Sequence, residues 1–188
     1  MGWTSVVIPN SVTKIRRTAF WGCSGMHSVT IGNNVDSMMM QYMPWNNLQA
    51  VNYNAENCKT SYLGRQSIFV GIGLTTFNIG AGVQSLPDYL ISNCGNLHSV
   101  SFPNTVTSIG VGNFRQCGLS GDLSLPSSLT QIGSNAFAYC TGLTSIHFRN
   151  WWMQLYNNSF CKQFCYGHCL RRWYIYPRCN SNDFSISK

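Results

Sequence analysis

Apolar residues return along this chain in a pattern that repeats every 22 to 26 residues. The copies at residues 3–25, 74–96, 97–118 and 119–142 are clear, whereas residues 26–47 are rich in Met and residues 48–73 carry an insertion. A seventh copy opens at residue 143 and stops near residue 150. Self-similarity at a fixed period of this length is the signature of a repeat architecture. We therefore expect one domain of stacked repeat units.

Each copy contains two short apolar steps separated by a turn. It opens as in Leu97, Val100 and Phe102, where the last two share one face of a strand and the residue between them points to the other. A Pro or Gly follows, then a V-x-x-I step, and the copy closes with Phe and Cys. The opening step predicts a short strand repeated seven times.

Stacking these units yields a β-rich solenoid, because one coil cannot bury its apolar face alone but neighbouring coils share a continuous core. The Asn residues that follow the strands, Asn10, Asn33 and Asn104, are expected to lie in register and to hydrogen-bond along the stack. The Met38 to Met40 run occupies the second apolar step and is expected to fill the core.

Several positions of the repeat resemble a known family. The segments IPNSVTKI, FPNTVTSIG and LPSSLTQIGSNAFAYCTGLTSI are similar to the BspA-like class of leucine-rich repeats, and the resemblance covers roughly residues 3–150. It implies a right-handed leucine-rich-repeat superhelix of about six and a half coils. It also implies a longer secreted or surface-anchored protein with an adhesive role, and it offers no shared catalytic residues.

Two regions follow from where the repeat ends. Residues 1–150 are expected to form the solenoid, and residues 151–188 an atypical Cys-, Trp- and Arg-rich tail, either a cap on the last coil or a disordered extension. Its thiols could serve a metal site, a disulfide-stabilised cap, or no joint purpose. The weak metal candidates are Cys161, Cys165, His168 and Cys169.

The chain is weakly charged and basic, with 9% charged residues and a net charge of +7. Residues 1–150 contribute seven Lys/Arg and four Asp/Glu, hence +3, and the tail contributes five against one, hence +4. No run of five Lys/Arg appears, so nucleic-acid binding is not predicted. A polar surface with little charge is more typical of extracellular proteins. The sequence shows no membrane-spanning segment and no signal peptide of its own, so we expect any targeting sequence to lie elsewhere in a longer chain.

The repeated cysteines and the histidines are interpreted as structural. Cys94, Cys117 and Cys140 are spaced by the repeat length and, with Cys23, should form an internal stripe of buried thiols. No His has a carboxylate or nucleophile at a spacing that signals a triad. We therefore expect neither enzymatic activity nor a cofactor.

The alternation rule identifies the outward residues of the strands as the candidate binding face, in two rows. The first row is Val7, Thr30, Asn52, Asn78, Ser101, Ser124 and His147. The second row is Ser5, Ser28, Ala50, Thr76, Ser99, Asp122 and Ser145. The residues expected to contact a ligand are Thr30, Asn52, Asn78, Ser101, Asp122, Ser124 and His147. The predicted function is an extracellular or cell-surface adhesion module for a host or microbial surface protein or glycan, and the alternative is a structural spacer.

Overall fold

The computed structural model describes residues 2–39, 45–59, 67–70 and 73–148. These residues form a parallel β-solenoid of about six turns, and this part of the chain contains no helix. The predicted solenoid class is therefore confirmed. The predicted boundary near residue 150, the tail and its four metal candidates lie outside the described residues.

The described residues contain thirteen short strands, numbered here in chain order. They are β1 (Ser5–Val7), β2 (Lys14–Ile15), β3 (Ser28–Ile31), β4 (Ser37–Met38), β5 (Ala50–Tyr53), β6 (Phe69–Val70), β7 (Thr76–Ile79), β8 (Ser85–Leu86), β9 (Ile91–Ser92), β10 (Ser108–Ile109), β11 (Ser120–Leu125), β12 (Gln131–Ile132) and β13 (Gly142–Phe148).

The opening step of each repeat builds the main sheet. β1, β3, β5 and β7 pair in parallel in that order, and β11 pairs with β13. Val29, Val51 and Phe77 occupy equivalent positions and are buried, while the residues on either side of each point outward. This period-two alternation keeps the sheet in register, because a slip of one residue would expose the buried row.

The second apolar step forms a ladder on another side of the coil. β2 pairs with β4, and β8, β10 and β12 form a three-stranded parallel sheet, so that Leu86, Ile109 and Ile132 stack in the interior. A third side carries the parallel pair β6 and β9. The sequence identified these apolar steps but did not predict that they form strands.

Three successive coils close through backbone in the left-handed region. Tyr89, Gly112 and Asn135, which are 23 residues apart, have φ angles of 50°, 59° and 59°. A second series, Asn93, Gln116 and Tyr139, has φ angles of 56°, 57° and 62°. The left-handed conformation is unfavourable for most residues with a side chain. In the first series only Gly112 adopts it without strain, because glycine has no Cβ. The recurrence therefore reflects a requirement of the fold.

Aromatic rings run through the interior along the solenoid axis. Trp45 stacks on Phe69 with ring centroids 6.2 Å apart, and Phe114 stacks on Phe137 at 5.4 Å. Phe114 also meets Phe77 and Phe102 edge-on, at 6.3 and 5.7 Å. Three of these four contacts join rings of neighbouring coils, and that between Phe102 and Phe114 lies within one coil, so the coils bury a continuous core.

One of the seven predicted strands does not form. Ser99–Phe102 has the alternating exposure of a strand but pairs with neither β7 nor β11. At the intact junctions Asn54 and Gly80 donate their backbone N–H to the carbonyl oxygens of Ile31 and Tyr53. The equivalent residues at the two broken junctions are Pro103 and Pro126. Proline has no N–H, so each of these junctions lacks one bond of the ladder.

Two further expectations were partly wrong. Met38 fills the core as predicted, but Met39 is 45% exposed because the alternation directs it away from the side that Met38 faces. Met40 lies outside the described residues. Among the Asn residues after the strands, the backbone N–H of Asn33 donates to Asn10 Oδ1 at 3.0 Å, and this bond does not continue as a side-chain ladder to Asn104 among the described residues.

Candidate functional site

The outward strand residues lie in the two rows that the alternation predicts. The parallel register aligns Val7, Thr30, Asn52 and Asn78, and separately Ser124 with His147. The second row aligns Ser5, Ser28, Ala50 and Thr76, and separately Asp122 with Ser145. Ser99 and Ser101 are exposed but belong to the unpaired segment, so both rows are interrupted there. We call this two-row surface the strand face.

Hydrogen bonds fix the amides in the first part of the strand face. Asn52 donates its side-chain N–H to Thr30 Oγ1 at 3.2 Å, and Asn78 donates to Asn52 Oδ1 at 2.8 Å. An Asn amide carries two N–H donors and one carbonyl oxygen. Each amide is therefore held in one orientation while a donor stays directed to solvent, which lowers the entropic cost of binding a ligand there.

The second part of the strand face carries a polar cluster across β11 and β13. Thr144 Oγ1 and Ser145 Oγ lie 2.8 and 2.5 Å from Asp122 Oδ1. Both hydroxyls must donate, because an ionised carboxylate can only accept. These hydrogen bonds, first that of Ser145 and then that of Thr144, lower the pKa of Asp122 below its ordinary value. His147 Nε2 lies 2.8 Å from Ser145 Oγ and 3.9 Å from Asp122 Oδ2.

This cluster contains the residue types of a hydrolytic triad but not its arrangement. In a triad the serine hydroxyl gives its proton to the histidine, whose other ring nitrogen is held by the carboxylate. Here the hydroxyl proton of Ser145 is committed to Asp122, so His147 Nε2 must donate to Ser145. The carboxylate approaches that same nitrogen. The histidine is thus not positioned as a general base.

The predicted rows contain Asp122, Ser145 and His147, but spacing along the chain does not reveal them as one hydrogen-bonded group, because Asp122 lies one full coil before the other two. The signal was present in the repeat, because the alignment of residues 119–142 with the copy that opens at residue 143 places Asp122 beside Ser145.

A cleft separates β7 from Ser99–Phe102, where the main sheet is interrupted. Its volume is about 440 Å³, and its lining includes Thr76–Ile79 and residues 99–103. We call it the β7 cleft. Its lining contains no charged side chain.

The repeated cysteines lie away from the strand face. Cys94, Cys117 and Cys140 are buried free thiols, as predicted, whereas Cys23 is only half-buried. The thiol of Cys140 lies 3.0 Å from the carbonyl oxygen of Phe114, and burial raises its pKa to about 12. A hydrogen bond with Cys94 lowers the pKa of Cys117. Throughout the described ranges, no group of three His, Cys, Asp or Glu side chains is placed to hold a metal ion.

A comparison with protein families decides what kind of repeat this is. The model described as "BspA type Leucine rich repeat region" matches in six copies over residues 2–64 and 63–166. The chain belongs to the BspA-type leucine-rich repeat family. The family assignment made from the repeat positions is thereby confirmed.

One solved structure of a leucine-rich repeat protein agrees with this fold, and two others show a weaker likeness. A leucine-rich repeat protein from Bacteroides ovatus is 27% identical with a TM-score of 0.65, and the match covers 77% of this chain and 37% of that one. A leucine rich cell surface protein from Faecalibacterium prausnitzii is 24% identical (TM-score 0.46), covering 79% and 48% of the two chains. The leucine-rich repeat protein of T. pallidum is 23% identical (TM-score 0.49), covering 76% and 57%.

The fold comparison rests on the Bacteroides ovatus protein, the most alike of these three. This BspA-type chain spans less than two thirds of each of the three structures. No curated protein matches its sequence. None of its described segments is a helix long and apolar enough to cross a membrane.

Proposed function

We propose that this chain is a non-catalytic binding module of a secreted or surface-exposed protein, and that its strand face recognises a protein or glycan of a host or microbial surface. The observation that carries the proposal is the register of the strand face. Polar side chains from successive coils lie at equivalent positions and are fixed by hydrogen bonds between the coils. A preorganised polar surface of this kind suits recognition through hydrogen bonds.

The chemistry of the face predicts modest affinity at each contact. Asn, Ser and Thr side chains dominate, and the face lacks the Trp and Arg anchors that usually carry most of the energy of an interface. The first part of the face offers one hydroxyl and two fixed amides, from Thr30, Asn52 and Asn78. The second part adds a negatively charged hydrogen-bond acceptor, the Asp122 carboxylate beside Ser145 and His147. Useful affinity would then come from several coils or several copies acting together.

A panel of neutral and sialylated glycans and of extracellular matrix proteins tests the proposal. The purified chain is presented in multivalent form, and each immobilised ligand that it binds is then tested with Asn78→Ala and Ser124→Ala. Gln131→Ala is the matched control, because Gln131 is also exposed and polar but lies on β12, on another side of the coil. We expect the two face variants to weaken binding at least about fivefold and the control to leave it unchanged.

The alternative, a structural spacer, makes the opposite prediction. If no ligand of the panel distinguishes the face variants from Gln131→Ala while circular dichroism shows all of them folded, the strand face has no part in recognition. The spacer function would then be favoured.

A further inference from the structure

The side-chain ladder of the strand face is directional and stops at the β7 cleft. Asn52 directs its Nδ2 to Thr30 of the preceding coil and its Oδ1 to Asn78 of the following coil. Asn78 Nδ2 points back to Asn52, and the oxygen and nitrogen of an amide diverge from one carbon, so Asn78 Oδ1 is directed toward the cleft. The next residue of the row is Ser101, and no hydrogen bond joins it to Asn78 in the described chain.

The end of this ladder is a strong hydrogen-bond acceptor. Hydrogen bonds in a chain polarise one another, so an amide whose N–H donates becomes more negative at its oxygen. Asn78 Oδ1 gains from this effect and accepts from no residue within the described ranges. The exposed hydroxyls of Ser99 and Ser101 line the opposite wall. A hydroxyl both donates and accepts, so this wall can bond to a ligand group of either kind.

The cleft is shallow and its floor is apolar. Phe77 and Phe102 contact the ring of Phe114 edge-on beneath it, and β8 pairs directly with β10 in the same two coils. A ligand must therefore lie over the cleft and cannot enter between the coils. At one end of the lining Ala81 is exposed and Pro103 is half-buried, which gives the cleft a small apolar patch at its surface.

We propose that the β7 cleft binds a neutral sugar unit of a glycan, with Asn78 Oδ1 accepting from one ring hydroxyl and Ser101 bonding to a neighbouring one. The apolar C–H face of the sugar covers the patch at Ala81 and Pro103. The volume of about 440 Å³ falls within the range of about 300–1,000 Å³ that is usual for ligand sites. This inference rests on the proposed function, because it names the class of ligand and the place on the strand face where that ligand binds.

The lining of the cleft favours a sugar without charge. Among the described residues that form it, none is Lys, Arg or His, so a carboxylate or sulfate would lose water without gaining a partner of opposite charge. None is Asp or Glu, so the free ammonium group of an amino sugar would gain no partner either. Because salt screens interactions between charges, binding should be insensitive to ionic strength.

A sugar matches these groups better than a peptide does. The cleft offers one strong acceptor opposite hydroxyls that can donate or accept, and each sugar hydroxyl also carries both functions. A peptide strand between the two coils would need a strand spacing of about 4.7–4.9 Å on each of its sides, whereas the coils pair directly at β8 and β10.

NMR titration with matched oligosaccharides tests the proposal. The uncharged probes are N-acetyllactosamine, maltotriose, mannotriose and chitotriose, and each has a charged counterpart in which every primary hydroxyl is oxidised to a carboxylate. We expect at least one uncharged probe to shift the signals of the Asn78 side-chain amide and of the Ser99 and Ser101 backbone in a saturable way. Its oxidised counterpart should bind at least about fivefold more weakly.

Four variants locate the site. Asn78→Ala removes the acceptor and Ser101→Ala the opposite hydroxyl, and we expect each to weaken binding of that probe at least about fivefold. Asn52→Ala keeps the acceptor but releases its amide, so it should weaken binding by only about two- to threefold. Gln131→Ala, on another side of the coil, is the matched control and should leave binding unchanged. If circular dichroism shows Asn78→Ala to be unfolded, Ser101→Ala decides the question.

The outcomes separate this inference from the proposed function. Binding of none of the four uncharged probes, or shifts confined to residues outside the cleft, would overturn the sugar site. Weaker binding in Ser124→Ala but not in Asn78→Ala or Ser101→Ala would also overturn it, while the strand face would keep its role in recognition. Tighter binding of the oxidised probes would show that the ligand is anionic. Saturable shifts with an uncharged peptide of residues 48–54, but with no sugar, would assign the cleft to peptides instead.

Discussion

The side-chain amide of Asn78 donates a hydrogen bond to the side-chain oxygen of Asn52, which lies one coil earlier and 2.8 Å away. Asn52 in turn donates to Thr30 at 3.2 Å. Three successive coils are thus joined on the outside of the sheet as well as through the core. The ladder uses Thr at this position of one coil and Asn at the same position of the next two coils.

Asn52→Ala should destabilise the chain, because it removes both bonds of the ladder. At about 0.5–1.5 kcal/mol for each of the two hydrogen bonds, we expect the free energy of unfolding to fall by about 1–3 kcal/mol. Urea denaturation followed by circular dichroism measures this loss. Gln131→Ala, on the exposed surface of β12, should cost less than about 0.5 kcal/mol. Equal effects of the two substitutions would mean that the ladder does not contribute to stability.

Gly110→Ala should lower the free energy of unfolding more than Gly95→Ala does. A Cβ at Gly110 would lie 2.5 Å from the backbone nitrogen of Asp88 and from the carbonyl carbon of Pro87, in the preceding coil. Backbone cannot move aside as a side chain can, so we expect a loss of about 1–3 kcal/mol in thermal or urea unfolding. Gly95→Ala is the control, because a Cβ there meets nothing within 4 Å. Similar stabilities of the two variants would contradict the close approach of the coils.

The repeat pattern predicted most of the fold because it depends on local features. Strand positions, inward and outward rows and the burial of Cys94, Cys117 and Cys140 all follow from period and alternation. The sequence predicted a strand at Ser99–Phe102, because its apolar pattern is that of a strand, and did not predict that this strand would be absent. Each interrupted junction has a proline, Pro103 or Pro126, at the residue whose N–H would bond to the preceding coil. Pro9 occupies the same position in the first described coil, where no earlier described coil could accept such a bond. The effect of the proline thus depends on the neighbouring coil.

The polar contacts of the candidate site were less predictable than the rows that contain them. The rows follow from alternation, but Asp122, Ser145 and His147 come together only through pairing across coils, and their hydrogen bonds depend on rotamers that the sequence does not specify. The bulge between Gly121 and Asp122 also shifts the register of β11 against β13. This shift matters because Asp122 lies directly after it.

The buried thiols should react slowly while the chain is folded. Burial raises the pKa of Cys58 to about 11 and that of Cys140 to about 12, and the thiolate is the reactive form. With iodoacetamide at pH 8, we expect both to be alkylated at least about tenfold more slowly than the half-buried Cys23, as measured by peptide mass spectrometry. In urea the rates should converge. The ordinary thiol pKa is 9.0, so above about pH 9 these thiols ionise in the unfolded chain before they ionise in the folded chain. The free energy of unfolding should therefore decline as the pH rises above about 9. Equal alkylation rates in the folded chain would contradict the burial of these thiols.

Asp122 should titrate below its ordinary pKa of 3.8 in the folded chain, because Ser145 and Thr144 donate hydrogen bonds to its charged form. A carboxyl with a depressed pKa stabilises the fold above its unfolded value, and this contribution is lost as the pH falls through the folded value. NMR of the side-chain carboxyl carbon measures the midpoint directly. Ser145→Ala removes the larger cause and should move the midpoint upward, whereas Ser124→Ala, on the same strand face, should leave it in place. An unchanged midpoint in Ser145→Ala would show that the hydrogen bond is not formed in solution.

Pro103→Ala should extend the main sheet by supplying the missing donor. At the preceding junction Gly80 donates its N–H to the carbonyl oxygen of Tyr53 at 2.8 Å, and the equivalent acceptor for residue 103 is Ile79. We expect the new amide at position 103 to be protected from exchange by about tenfold or more. Replacing the proline also raises the conformational entropy of the unfolded chain, which lowers the free energy of unfolding by about 0.4–1 kcal/mol. This loss offsets part of the stability gained from the new hydrogen bond. Net stability in urea should therefore change little. Pro126→Ala tests the same argument at the next junction, and rapid exchange at position 103 together with rapid exchange at position 126 would show that proline is not what interrupts the sheet.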